Sequence, residues 1–303
     1  MRFMFLSKES HLLALQAKVR VERVIYESLR NGSQSYIDLS VEWSSHRGFG
    51  CDNFYKLKIF PKKGGGCVIH HRGGLSIDYE QDIESVGMQL LFHYTKLLDI
   101  EFLGIELCVI SPGFVHMLRE QLSGLTLQAN NFSLCIDDNL VILSLIPLIK
   151  NHSSSILFSN LEDGVLPTLV SEVFDYESVR ITRNLSVNKA DLFDEQLCNL
   201  QASRLFVSSP HITSHSINYL IRQWFAGERE ISLINITINK PLDWDELFNG
   251  IDPSNITLLG IGNLGAGGIH DGKLNFDHGV LSVFLCGTGC ILKSLPTTNL
   301  HYE

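Results

Sequence analysis

The chain has 303 residues, 45% hydrophobic and 19% charged, and its 24 Lys and Arg against 33 Asp and Glu give a formal net charge of -9. That length and apolar content supply one large or two ordinary cores, which excludes a disordered tail, a disulfide-stapled miniprotein and a collagen-like chain. The acidic balance, with no Lys/Arg run, argues against a protein that holds nucleic acid or an anionic membrane through bulk charge.

The N-terminus begins like a signal peptide, but Lys8, Glu9 and His11 interrupt the apolar stretch, so it reads as mature sequence. Three runs, 36–43 (YIDLSVEW), 54–60 (FYKLKIF) and 67–71 (CVIHH), have strand character and are separated by glycine-rich turns, which predicts a small antiparallel meander. Ile83, Val86, Gly87, Leu90, Leu91, Tyr94, Leu97 and Leu98 then keep helical spacing and predict one long helix.

From about residue 100, strand-like pieces starting near Leu103, Leu125, Ile156, Val179, Leu205, Leu233 and Ile256 recur at intervals of 22 to 31 residues, with helical stretches between them. Strand-helix-strand order compels parallel pairing, and this period is that of an α/β solenoid. Leu166, Leu169, Val170, Val173 and Phe174 predict a helix entered at Pro167. Thr213 is placed to cap a helix burying Ile217, Leu220, Ile221, Trp224 and Phe225 and closed by Gly227, and Asp243 and Gly250 bracket a shorter one. Only residues 125–130 (LTLQAN) match the L-x-L-x-x-N core, where Asn130 is expected to bond backbone along the stack, so the repeat is irregular. After Gly260 the chain turns glycine-dense, and 273–276 with 280–285 alternate as a hairpin that caps the sheet.

The most apolar window, 140–149, contains Pro147 and is far short of the roughly 20 residues that span a bilayer, so no membrane span is expected. Seven scattered cysteines without a C-x-x-C pair read as reduced, which places the chain inside the cell, cytoplasmic or nuclear. Gly260, Gly262 and Gly265 satisfy G-x-G-x-x-G after a strand, but a dinucleotide site needs a helix opening at the third glycine and residues 266–272 make a poor one. Residues 267–273 approach a P-loop, yet Leu274 stands where a magnesium-holding hydroxyl belongs. His70 with His71, His211 with His215, and His270 with His278 lack zinc spacing or a zincin glutamate. Cys286 and Cys290 read as two strand or turn cysteines, and no G-x-S-x-G elbow occurs. No catalytic residue, cofactor or metal is assigned.

One block is more specific. Residues 188–200 (NKADLFDEQLCNL), 202–209 (ASRLFVSS) and 212–225 (ITSHSINYLIRQWF), followed by the strand at 233–238, resemble in order and spacing the type 2 F-box-associated domain expanded in nematodes. Asn218, Trp224 and the exit at Gly227 match that pattern, while Ile217 and Leu220 replace its usual Leu and Phe. Residues 268–272 (GIHDG) look like its terminal hairpin without the arginine, and 5–19 (FLSKESHLLALQAKV) are similar to the end of an F-box whose leading segment is missing.

The resemblance implies a substrate-recognition subunit of a Skp-cullin-F-box ubiquitin ligase, a protein-interaction module and not an enzyme. Leu6, Leu12 and Leu13 would touch the Skp-type adaptor, and Asn218, Trp224 and Gly227 would hold the fold. The expected organisation is an F-box remnant over 1–30, a meander plus helix over 31–99 and the associated α/β domain over 100–303. The expected fold is α/β, an irregular leucine-rich-repeat-like solenoid with a mainly parallel curved sheet, preceded by the meander. Partners are a protein substrate and, with the F-box incomplete, a weakly held adaptor and cullin. Two other readings stand beside it: an adaptor-free binding solenoid, and a nucleotide-dependent enzyme using the Gly260–Gly265 loop.

Overall fold

The structure is a computed structural model that describes residues 19–31, 34–43, 54–71, 74, 76–151, 153–159, 168–262, 269–276, 279–286 and 289–295. The chain divides into two compact units, Met1–Pro167 and Thr168–Glu303, a boundary inside the segment 100–303 that the repeat period treats as one domain. Both are α/β: parallel strands with helices on one side, continued by antiparallel strands.

In the first unit β1 (Val19–Asn31), β2 (Gln34–Glu42), β3 (Phe54–Pro61), β4 (Cys67–His71) and β5 (Ser76–Tyr79) pair antiparallel in sequence order. β6 (Leu98–Leu107) pairs parallel with β1, β7 (Asn131–Ile136) with β6, and β8 (Ser155–Ser159) with β7. The predicted meander is therefore present. A strand, however, occupies 19–31, where the F-box remnant over 1–30 implies helix: Val21, Val24 and Tyr26 are buried, and β1 joins the antiparallel to the parallel strands. A strand bonded on both sides outweighs the local helical likeness.

Helix α1 (Ile83–Leu97) follows its predicted stripe, with Asp82 accepting the Ser85 N–H at 2.8 Å as N-cap. It lies on the face that carries Ile37 and Tyr26. A Cβ at Gly87 would stand 2.9 Å from Ile37 Cδ1 and 3.1 Å from the Tyr26 ring, so glycine permits this close approach. Helices α2 (Phe114–Glu120) and α3 (Asn139–Leu145) connect the parallel strands.

The strand expected at Leu125 lies later, at Asn131. Leu127 makes only a single parallel bridge to Ile149, and the alternation that becomes β7 is Phe132, Leu134 and Ile136, all buried. Among the described residues the Asn130 side chain bonds no backbone group along the stack: its Nδ2 donates to Glu101 Oε2 at 3.0 Å, and Asn131 Nδ2 reaches the Glu101 carbonyl at 3.0 Å.

In the second unit β9 (Asn184–Val187), β10 (Arg204–Ser208) and β11 (Leu233–Thr237) pair parallel. The strand expected at Val179 is instead a helical turn, α4 (Glu177–Arg180), because Arg180 and Ile181 N–H bond the carbonyls of Tyr176 and Glu177 at 3.0 Å. The helix expected through 166–174 is a 3₁₀ turn, Ser171–Asp175, in which Val173 and Phe174 are buried; Leu169 instead bridges Ala190, and Leu166 and Pro167 lie outside the described residues. Helix α5 (Asp194–Asn199) precedes β10. Helix α6 (Ser214–Phe225) has its Thr213 cap and buries Ile217, Leu220, Ile221 and Trp224, each burial contributing about 1.5–3 kcal/mol. Helix α7 (Trp244–Leu247) is capped by Asp243.

The Ile256 strand, β12 (Ile256–Gly262), does not stand beside β11. The chain continues through β13 (Ile269–Phe276), β14 (Gly279–Cys286) and β15 (Gly289–Leu295), and the order β12-β13-β14-β15-β11-β10-β9 puts β15 antiparallel against β11. Hairpins keep consecutive strands adjacent, so the fourth strand docks and the first becomes the edge. The predicted hairpin is the β13–β14 pair. Among the described residues no helix is long and apolar enough to cross a membrane.

Candidate functional site

Side-chain alternation leaves each sheet one face under helices and one without. In the Thr168–Glu303 unit, Leu185, Val187, Leu205, Val207, Ile234 and Ile236 are buried on the helix side. On the other side register aligns a row across the strands: Phe206 stands opposite Ser186 and Asn235, Asn235 opposite Ile291, and Ile291 opposite Phe284. Phe206 is 40% exposed, although it sits on a strand paired on both sides. A second row runs Asn184, Arg204, Leu233, Lys293 and Ser282, with Arg204 and Lys293 exposed. Among the described residues no ion pair joins either cation to a carboxylate.

The helix-free face of the Met1–Pro167 sheet has different chemistry. Glu27 stands opposite Asp38 on one side and Glu106 on the other. Burial, then the negative charges of Glu106 and Asp38, push the Glu27 carboxyl up from its ordinary pKa. Asp38, 2% exposed, accepts an ion pair from Lys56 at 2.8 Å. Cys135 lies opposite Glu106, and burial pushes its thiol up to about 11, too high for a thiolate nucleophile at neutral pH.

Of the residues carrying the family resemblance, Leu6, Leu12 and Leu13 lie outside the described residues. Of the other three, Asn218 and Trp224 are packed into the fold and Gly227 closes a helix. Asn218, on the buried side of α6, donates through Nδ2 to the Leu247 carbonyl at 2.7 Å and the Asn249 carbonyl at 3.0 Å, fixing the end of α7. Trp224 is 4% exposed in the last turn of α6. Gly227 adopts φ +74° just past that helix, with its N–H on the Trp224 carbonyl, a conformation that favours glycine. The sequence patterns missed an exposed group beside α5 and α6, where Phe193 stacks on His211 with centroids 4.5 Å apart and Asp191 Oδ1 lies 3.4 Å from His211 Nε2.

The other motifs do not converge. Gly260 and Gly262 lie within β12, and β13 returns antiparallel where a dinucleotide site requires a helix N-terminus. Lys273 and Leu274 are inside β13. Calorimetric titration with ATP or NAD is accordingly expected to show no saturable micromolar binding; a signal abolished by Gly262→Val would overturn this. His70 bonds Ser76, His71 bonds the Tyr55 hydroxyl, and His215 is exposed in the first turn of α6. His270 is a β13 residue, while His278 lies outside the described residues. Cys286 and Cys290 are strand residues, of β14 and β15, and burial pushes the Cys290 thiol up to about 12. Among the described residues no group of three or more His, Cys, Asp or Glu is placed to hold a metal ion.

A cleft of about 270 Å³ at the start of β6 is lined by polar groups including Asp99, Asn130 and Lys150. No family model, curated protein or solved structure matches the chain.

Proposed function

We propose that the chain is a non-enzymatic protein-interaction module that recognises a substrate protein, in the manner of the substrate receptor of a Skp-cullin-F-box ubiquitin ligase. The observation that carries this is the helix-free sheet face of the Thr168–Glu303 unit, which displays a half-exposed phenylalanine, Phe206, and two exposed cations, Arg204 and Lys293, that have no ion pair among the described residues. Sites for partners are enriched in aromatic side chains and arginine. The unit contains the stretch, 188–238, that resembles the F-box-associated domain, and the finer reading of it is an irregular leucine-rich-repeat-like solenoid working inside the cell, cytoplasmic or nuclear.

Strand β1 favours a second reading, an adaptor-free binding protein, because it takes residues 19–30 away from the F-box remnant. Adaptor binding separates the two. Residues 1–303 are expected to capture a purified Skp-type adaptor weakly or not at all, since a fragment of an F-box loses the buried centre from which most binding energy comes. A fusion with a complete F-box ahead of residue 1 is expected to capture the adaptor and to direct ubiquitin onto a bound partner. Near-stoichiometric capture by residues 1–303 alone would overturn the truncated-F-box expectation. A fusion that captures adaptor yet modifies no partner would leave the adaptor-free reading.

A further inference from the structure

We propose that the helix-free face of the Thr168–Glu303 sheet docks an acidic segment of a partner protein, with Arg204 and Lys293 pairing its carboxylates and Phe206, Ile291 and Phe284 receiving its apolar side chains. This deepens the interaction-module reading above and rests on it.

The face is organised in two lanes. Arg204, Leu233 and Lys293 are in register on three consecutive strands, β10, β11 and β15. Strands lie about 4.8 Å apart, so the two cations stand about 10 Å apart. Phe206, Asn235 and Ile291 follow on the same strands two residues along, a lane about 7 Å away, and Phe284 extends it onto β14. Among the face residues whose side chains are described on β9, β10, β11, β14 and β15, none is acidic. In a chain with 33 acidic against 24 basic residues, a cationic lane without a carboxylate among the described side chains departs from the composition around it.

That charge identifies the occupant. A segment with two carboxylates about 10 Å apart on one face, as on residues i and i+3 of a polyproline II chain with three residues per turn and a rise of about 3.1 Å, spans Arg204 and Lys293. Its apolar side chains then fall on the aromatic lane, where desolvation strengthens the ion pairs. Leu233 between the cations and Asn235 between Phe206 and Ile291 give each lane one residue of the other character, so a contact to partner backbone is available at Asn235. The acidic line of Glu27, Asp38 and Glu106 on the other unit would repel the same segment. Single-stranded RNA also pairs cations with aromatics, but two cations on a chain of net charge -9 do not offset a polyphosphate.

The test is fluorescence anisotropy of the full chain with labelled synthetic peptides: one of Glu with Leu and Phe, one with every Glu replaced by Lys, one with every Leu and Phe replaced by Ser, and an oligouridylate. The Glu/Leu/Phe peptide is expected to bind, and more weakly as salt is raised. Arg204→Glu with Lys293→Glu is expected to weaken it by about tenfold or more and to gain binding of the Lys peptide. Phe206→Ser is expected to weaken it with the salt dependence unchanged. These positions are exposed, so an unchanged unfolding midpoint verifies each variant, and Arg204→Ala with Lys293→Ala provides a milder second pair. Equal binding of the Glu and Lys peptides, indifference to the paired variants, absence of saturable binding or tighter binding of the oligouridylate would each overturn the proposal. A cellular partner retained by the Arg204→Glu, Lys293→Glu chain would sink this inference and leave the interaction reading. Face-dependent peptide binding without ubiquitination of any partner would do the reverse for the ligase reading.

Discussion

Trp224→Ala is expected to destabilise the protein by about 4 kcal/mol, the scale of deleting a large aromatic from a core. The indole is 4% exposed and shares the α6 stripe with Ile217, Leu220 and Ile221, each at 0%. Alanine removes the transfer energy of the ring and leaves a cavity that a helix anchored by the Thr213 cap and the Gly227 exit cannot collapse to fill. Urea unfolding followed by circular dichroism checks it, with Trp224→Phe expected to restore part of the loss. A change below about 1 kcal/mol would show that the ring is not packed as described. The outcome also separates roles: a binding-site tryptophan would lose partner affinity while the unfolding midpoint stayed put.

Helix α6 was legible in the sequence because each of its signals is local. The Thr213 cap, the stripe from Ile217 to Trp224 and the Gly227 exit lie within one stretch and concern one another. The same holds for α1, whose apolar positions keep helical spacing from Ile83 onward, and for α7, bracketed by Asp243 and Gly250. Strand β9 was missed because four residues, Asn184–Val187, offer only Leu185 and Val187 as apolar positions, and the neighbouring Val179 and Ile181 compete for the assignment. In β1 the run Val24, Ile25 and Tyr26 is buried on both faces, which hides the alternation by which a half-exposed strand is recognised.

The candidate surface was less legible than the fold. Arg204, Leu233 and Lys293 are ordinary residues in the sequence, and nothing local ties the first to the last. They become one lane only because β15 pairs with β11, and the spacing argument placed β12 there instead. That assumed every strand continues the parallel progression, whereas the hairpins after Gly262 return the last strand to the sheet. The family-motif residues were conspicuous for the opposite reason: Asn218 bonds the carbonyls of Leu247 and Asn249 at the end of α7 and Trp224 is buried in the α6 stripe, so they mark the fold and not the surface it displays.

Asn218→Asp is expected to cost about 4 kcal/mol at neutral pH and markedly less in acid. The Asn218 Nδ2 group donates to two carbonyls, Leu247 at 2.7 Å and Asn249 at 3.0 Å, and the residue is buried. An ionised carboxylate only accepts, so the substitution sets a buried negative oxygen against two carbonyl oxygens and leaves both without a donor. Protonation returns one O–H donor, so the folded state raises the pKa of the new carboxyl above its unfolded value near 3.9. A raised folded pKa makes the variant relatively more stable below the unfolded value, and that relief is lost as pH rises through the folded one. The gap between wild type and variant should therefore widen from pH 3 towards neutrality. Asn218→Leu, which also orphans the carbonyls but carries no charge, is expected to show a smaller loss of about 2 kcal/mol with no such pH dependence. Urea midpoints of the three proteins across pH decide it: parallel profiles for Asn218→Asp and Asn218→Leu would mean that the bonds to Leu247 and Asn249 do not hold α6 to the end of α7.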